Sequence, residues 1–547
     1  MPTATRRDFL KRAAALSAGA TALPSIASAV MGAPAENAAP PGKAPFKLLY
    51  SNDTTNITTC VSPYHSKGER FTDEMLRQSI DEAAAADVQL LQPGLGWIPW
   101  WKSKVYPAEE HYRYYQDAHG IKPNSFGRYM LDGGDIVQTF VDHCRKRRIT
   151  PFISLRLNDA HHLELADTDD PRRAHTVSKF YREHMREYRI KAAGKRGGDR
   201  VFNWAIPEVR AHKFAFIREL CENYDLDGFE LDYLRFNSFF RQQETSSDQR
   251  REIMTGFVRE VRQLLDRTAR NGRRRWLCLR IPAIMDSYDE LGIDVAAMAA
   301  AGADMFNLSC TYFTVQRTDL TKIRALVPQQ SLYLEMTHTV LNGPSVSGYD
   351  SFPFVRTTVP QFTTTAHLAY NQGADGMSLF NFVYYREHGT EGRGPFQEPP
   401  FEVLKLLGDR QELARLPQWY FLSIEPRRGL ADEWPLPKTL NAGDTAELLF
   451  DAAPNSHAGP AGIVRLRGAS NLADCTWRVK LGGTELVPAG PVLKPLDHPY
   501  EGYLGNREDY ACFACPRELV RRGQNTLAVE VLSGPPATLI YYDVVLP

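Results

Sequence analysis

The sequence predicts an α/β protein, a (β/α)8 barrel followed by a C-terminal all-β sandwich, and three observations carry the prediction. Eight short apolar runs alternate with longer helix-like stretches between Phe46 and Tyr385, the pattern of strands returning through helices to one parallel sheet. The first run continues as "YSNDTTNITTC", which lacks the Gly-rich phosphate turn expected of an open doubly wound sheet. After about Leu416 the helical periodicity fades, and short alternating strands separated by Gly, Pro, Asn and Asp take over.

The first 29 residues read as an address. Thr5-Arg6-Arg7-Asp8-Phe9-Leu10-Lys11 fits the twin-arginine export pattern, an Ala-rich apolar stretch runs from Ala13 to about Leu23, and Ala27-Ser28-Ala29 is a small-x-small cleavage site. Residues 30–44, rich in Ala, Pro and Gly, read as a linker. The leader's apolar run is too short to span a bilayer, and no later segment reaches the ~18 uninterrupted apolar residues a spanning helix needs. The expectation is a bacterial protein exported to the periplasm or beyond, without stable membrane insertion. Export by this route does not by itself imply a cofactor, and none is expected.

The barrel is expected over 45–416. Its strand runs are 46–53, 88–94, 150–159, 228–236, 274–283, 304–313, 331–338 and 376–385. Between them lie helix patterns at Thr72–Ala86, Gly134–Arg147, Pro207–Tyr224, Gln249–Arg267, Leu320–Leu326 and Val359–Gln372. Thr72, ahead of Asp73-Glu74, and Thr318 or Asp319, ahead of Leu320, suit N-caps. The sandwich is expected over 417–547, with strands at Ala446–Phe450, Gly462–Arg467, Thr476–Leu481, Asn525–Leu532 and Thr538–Val545. It either binds glycan or braces the barrel, and bracing is the favoured role.

Composition narrows the function. Lys+Arg and Asp+Glu both total 65, so the formal charge is zero. That speaks against a nucleic-acid partner, which demands a basic excess. Aromatic residues make up 11%; ring faces suit sugar C–H surfaces, although large cores use them equally. The eight cysteines include a lone C-x-x-C at Cys512–Cys515. Without a second pair or spaced histidines it does not make a zinc site, and no H-x-x-x-H array supports any metal. An oxidising destination permits a disulfide, such as Cys475 with Cys512 or Cys515.

Strand alternation locates the chemistry. In a barrel, alternate side chains face the helix layer and the interior. Assigning the apolar set outward leaves Ser154, Arg156 and Asn158 inward on the third strand, and Glu230 and Asp232 on the fourth. It leaves Cys278 and Arg280 on the fifth, Asn307 and Ser309 on the sixth, and Tyr333, Glu335 and Thr337 on the seventh. Barrel interiors are normally aliphatic, and a lone buried charge costs several kcal/mol. Polar groups on five successive strands therefore imply a wet C-terminal mouth. The alternative is a buried ion-pair network, Arg156 and Arg280 against Glu230 and Asp232, that ties the barrel together. Trp97, Trp100 and Trp101, on the loop after the second strand, suit either sugar platforms or a hydrophobic lid. His161, His162 and His338 are weaker candidates.

The segment 203–236, "NWAIPEVRAHKFAFIRELCENYDLDGFELDYLRF", resembles the bacterial glycosyl-hydrolase-like barrel families that carry an "NP-x-x-PEVR…YDVDGI-x-LDY-x-RYP" stretch. The matching residues are Pro207 to Arg210, Tyr224, Asp227-Gly228, Leu231-Asp232-Tyr233 and Arg235-Phe236. Phe236-Asn237 replaces the family's Tyr-Pro, and Glu230 stands where another residue is usual. The resemblance implies a TIM barrel and glycoside hydrolysis. Such cleavage uses two carboxylates flanking the bond. The expected pair is Asp232, as nucleophile or base, and Glu335, as general acid/base, or the reverse, from opposite sides of the barrel; Glu230 is expected to tune its neighbour and, with Arg156, Asn158, Arg280, Asn307 and Trp97, to contact the carbohydrate. The alternatives are a non-catalytic carbohydrate-binding protein on a degenerate barrel and a metal-dependent enzyme using the strand-end carboxylates.

Overall fold

The computed structural model describes residues 42–168, 170, 172–191, 194, 196–341, 354–386, 398–424, 434–499 and 505–547. The expected export leader and most of the linker lie outside these residues.

Eight strands close into a barrel: β1 (Leu48–Asn52), β2 (Val88–Leu91), β3 (Thr150–Arg156), β4 (Gly228–Asp232), β5 (Trp276–Pro282), β6 (Met305–Ser309), β7 (Ser331–Thr337) and β8 (Gly376–Phe380). Every neighbouring pair is parallel, and β1 pairs with both β2 and β8 to complete the ring. The eight apolar runs of the sequence supply these eight strands, each trimmed at its C-terminal end where the chain leaves the sheet.

The returning helices are α1 (Asp73–Glu82), α2 (Ile136–Arg147), α3 (Pro207–Asn223), α4 (Ser247–Arg267), α5 (Val295–Ala300), α6 (Leu320–Leu326) and α7 (Val359–Gln372). Thr72 caps α1 by accepting from the Met75 amide at 3.3 Å. At α6 the work is split: Thr318 Oγ1 accepts from the Leu320 amide at 3.4 Å, while Asp319 instead receives the Met285 amide at 2.9 Å. After β8 the described chain makes only short turns, Phe401–Lys405 and Arg410–Leu413, in the place of an eighth long helix. Among the described residues no helix is long and apolar enough to cross a membrane.

The barrel interior is layered. At the N-terminal end Leu49, Leu90, Phe152, Met305 and Tyr333 form an apolar plug. Gly228 opens β4 because Phe152 fills the axis there: a Cβ on residue 228 would lie 2.3 Å from its ring. Toward the C-terminal ends the inward positions turn polar.

The sandwich has two antiparallel sheets. One contains β9 (Gln418–Ser423), β10 (Lys438–Leu440), β12 (Gly462–Gly468), β14 (Tyr510–Cys515) and β16 (Ala537–Leu546); the other contains β11 (Thr445–Ala452), β13 (Thr476–Leu481) and β15 (Gly523–Ser533). Five of these were visible as alternating runs. Strand β9 was missed because "QWYFLS" is apolar on both faces, and β14 because its C-x-x-C spacing invited a chemical reading. Cys512 and Cys515 are three residues apart on β14, so they face opposite sides of the sheet, and no disulfide joins any two of the eight cysteines.

The two modules share an interface built on α7. Gln361 to Tyr370 are buried without a break, because one side of the helix meets the barrel and the other meets β9. Thr364 Oγ1 accepts from the Trp419 amide at 2.7 Å. The Gln316 amide donates to Trp419 O at 3.0 Å and accepts from the Phe421 amide at 2.9 Å, continuing the strand's hydrogen bonding into the barrel.

Candidate functional site

Three layers of inward side chains decide what the barrel mouth offers. The middle layer centres on Glu230. Ser154 Oγ donates to it at 2.7 Å, Asn307 Nδ2 at 3.1 Å and Cys278 Sγ at 3.5 Å. Burial pushes its carboxyl up to about 7, with Asp232 adding to the rise and Arg280 opposing it.

Arg280 binds the next layer together. Its Nε and Nη2 grip Glu335 at 2.8 and 2.5 Å, and its Nη1 reaches both Asp232 oxygens at 3.1 Å. Its guanidinium lies 4.6 Å from the Phe380 ring centroid. Strand register explains the contact, since Asp232 sits beside Arg280 and Arg280 beside Asn307 on successive strands. Glu335 also receives Ser309 Oγ at 2.6 Å and Asn307 Nδ2 at 3.2 Å. Its carboxylate therefore accepts four hydrogen bonds, two of them from its charge partner Arg280, and Glu335 is 1% exposed. Asp232 is 0% exposed and also receives the amides of Leu234 and Arg235.

Above this lies a third layer of residues at or beyond the strand ends. Arg156 pairs with Asp53, bonds Gln92 Oε1 at 2.7 Å and lies 3.5 Å from Asp159. Asn381 holds Asp53 from the far side, donating at 3.0 Å. Burial raises the carboxyls of Asp53 and Asp159, but the donors and cations around them prevail and hold both below the usual range: Arg156 and Arg235 for Asp53, the His161 hydrogen bonds and Arg156 for Asp159. Asp159 accepts from the His161 ring Nδ1 at 2.5 Å, and Arg235 donates to His161 Nε2. A guanidinium only donates, so the ring carries its proton on Nδ1 and stands neutral between carboxylate and cation. Burial lowers its ring below the usual range, partly offset by Asp159. The His161 side chain remains 23% exposed. Arg235 lies 4.9 Å from the Tyr312 ring centroid and 5.1 Å from that of Phe236, both half-buried.

The middle strands do bring their polar side chains to one place, and Asp232 and Glu335 do meet across it. The open, water-lined rim expected for them is not what the structure shows. One arginine joins the two carboxylates below the surface, so the ion-pair network governs this layer. Four sugar contacts are corrected for the same reason: Glu230, Arg280, Asn307 and Asn158 have almost no surface and direct their donors and acceptors into protein. Asn158 lies beyond the end of β3, where alternation lapses, and its amide ties Phe202 O to Ser238 O at 3.1 and 2.7 Å.

Trp97 is likewise a lid residue and no sugar platform. It follows Gly96 in a left-handed turn, with φ of +59° and +67°. A side chain on Gly96 would strike Thr176 O at 2.5 Å. The turn folds the indole inward, where Nε1 donates to Asp159 O at 3.2 Å and the ring packs on Phe202. Trp100 stacks on Phe126, and Trp101 donates to Glu219 at 2.8 Å. Arg156 alone of the expected contacts reaches the third layer.

Sequence reading did not place Asp53, Gln92 or Asn381, and undervalued Asp159, His161 and Arg235. The same alternation, applied to β1 and β2, leads to Ser51, Asp53 and Gln92; the others lie on loops that no periodicity covers. Among the described residues no group of three His, Cys, Asp or Glu side chains is arranged to hold a metal ion.

No protein-family model matches the chain, and no curated protein matches it in sequence. Among solved structures it is similar to an α-amylase from Anoxybacillus, at 12% identity over 88% of this chain and 98% of that one, TM-score 0.37. It is similar to a group IV chitinase from Ostrinia furnacalis, at 12% identity over 66% of this chain and 98% of that one, TM-score 0.36. A β-galactosidase from Bacillus circulans sp. alkalophilus gives 11% identity over 66% of this chain and 55% of that one, TM-score 0.39. At these scores no residue role passes from them to this chain, and the barrel rests on its own closed ring of parallel strand pairs.

Proposed function

We propose that the chain is an exported glycoside hydrolase acting at the C-terminal mouth of its barrel, with Asp232 as the carboxylate nearest the reacting sugar carbon. The observation that supports this reading is the convergence of β3 to β7 on one polar centre, with the aromatic faces of Phe236 and Tyr312 beside it. Asp232 ends β4 at the top of the network and accepts the Arg235 amide, and among the described residues its Oδ2 accepts only the Arg280 bond at 3.1 Å. Glu335 acts through Arg280, fixing the guanidinium that orients Asp232. The twin-arginine pattern at Arg6-Arg7 supports a location in the periplasm or outside the cell.

A panel of poly- and oligosaccharides, read by release of reducing ends, tests the reading. Asp232→Asn is expected to lower the rate on a cleaved glycan by ~1,000-fold or more, since it removes a group acting on the transition state. Glu335→Gln is expected to lose less rate and more stability. A folded Asp232→Asn variant with most of its rate intact refutes the assignment. A second reading, a carbohydrate-binding protein on a degenerate barrel, is favoured by the burial of Asp232 and Glu335 on one arginine. Binding to a glycan of the panel without release of reducing ends would establish it.

A further inference from the structure

Between β2, β3 and α3 lies a small cavity, with about 30 Å3 of room for the centres of water-sized groups, that the glycan reading does not use. Strand β2 ends at Leu91, and the chain turns away through Gln92 and Pro93, leaving a gap beside the upper half of β3. The cavity is lined on the barrel's inner side by Ser154 and Arg156 and on the helix side by Lys213 and Phe216. Much of the remaining wall is apolar, including Trp97 and Trp101.

Lys213 is the unusual member. It is 4% exposed, yet among the described residues no carboxylate forms an ion pair with it. Its ammonium donates to Arg156 O at 3.0 Å and sits 3.8 Å from the Trp97 ring centroid. Burial lowers it to about 7, and Asp159 opposes that fall only in part. Arg156 adds a second buried cation, and its Nε has no hydrogen-bond partner among the described residues. Arg156 is already paired with Asp53, and His161 and the Gly96 amide engage Asp159, so among the described residues Lys213 is the cation of this wall that no carboxylate matches.

We propose that this cavity is a carboxylate-binding subsite, in which Lys213, with the unbonded Nε of Arg156 beside it, holds the carboxylate of a slim or flat ligand against Trp97. A buried amine with no carboxylate partner either sheds its proton or keeps it beside a bound anion, and an apolar wall excludes the water that would otherwise solvate the charge. Two sources share this chemistry: a free monocarboxylate, or the acid group of a sugar acid whose ring remains in the mouth. The second deepens the glycan reading and rests on it for the choice of sugar, but binding is measured without turnover, so the two fail separately.

Cyanate labelling of the full chain, with peptide mass spectrometry at Lys213, tests the proposal on the unmodified sequence. Glucuronate is expected to slow carbamoylation of Lys213 severalfold, and glucose is not. Protection by butyrate as well would assign the site to small carboxylates in general; protection by glucuronate alone would assign it to sugar acids. Lys213→Met, followed by thermal denaturation, is expected to abolish the carboxylate-dependent rise in melting temperature. No protection by either acid, equal protection by glucose, or an undiminished rise in the Lys213→Met protein overturns the proposal.

Discussion

Replacing Glu230 by Gln removes a carboxyl that burial lifts from 4.5 to about 7 while keeping its shape. Between those values the unfolded chain has released this proton and the folded chain still holds it. The contribution is fully present below pH 4.5 and is lost as pH rises toward 7. At ~1.4 kcal/mol per pH unit, the gap amounts to about 3 kcal/mol of stability missing from the native protein at pH 8. The amide escapes that loss but introduces another. Ser154 still donates to the side-chain oxygen, whereas the new NH2 faces Asn307 Nδ2, itself a donor. Forfeiting that hydrogen bond costs about 1 kcal/mol. Glu230→Gln is therefore expected to be about 1 kcal/mol less stable than the native protein at pH 4.5 and about 2 kcal/mol more stable at pH 8. Guanidinium unfolding of the full chain, followed by tryptophan fluorescence at pH 4.5, 6 and 8, measures both. A difference that stays constant across that range refutes the reasoning, because the carboxyl then changes charge at the same pH in both states.

Three further expectations follow from the packing. Arg280→Met strands Asp232 and Glu335 without their shared cation, and a broken buried pair costs about 3–5 kcal/mol; chemical denaturation at pH 7 reads it, and a loss under about 1 kcal/mol would mean that solvent reaches the carboxylates. Gln316→Ala leaves the Trp419 carbonyl and Phe421 amide unpaired inside the interface, a penalty of about 2–4 kcal/mol for two buried groups, checked by the melting temperature of the full chain; an unchanged value would show that the contact is dispensable. Because no disulfide joins any of the eight cysteines, excess dithiothreitol is expected to leave the melting temperature unchanged, and a drop would reveal a disulfide.

The fold was legible because two periods govern it. Alternation of two in "FISLR" and "GFELD" identified strands and the faces of Arg156, Glu230 and Asp232, while helix patterns such as 359–372 came through with their ends. The site was legible as far as the sheet extends and no further. Parity assigns Glu335 and Asp232 to the interior, but it does not report depth. Whether a strand-end carboxylate meets water or an arginine depends on the stagger between β4, β5 and β7, which no single strand encodes. Past the last sheet residue parity lapses, so Asn158 was assigned to the mouth although it staples two loops. Trp97 was misplaced by a left-handed turn at Gly96-Trp97, a backbone choice that side-chain patterns do not announce. His161 gains its standing from Asp159 two residues earlier and Arg235 on another loop, a long-range meeting that follows from the closed barrel.

Helix α7 carries a lesson for anyone dissecting this chain. With neighbours on all flanks, it belongs to neither module alone, and a truncation at 416 would strip its threonine row and leave Gln316 facing solvent. Shortened versions intended to isolate the barrel should precipitate or melt early, and a replacement C-terminal piece would need an edge matching β9 to restore solubility.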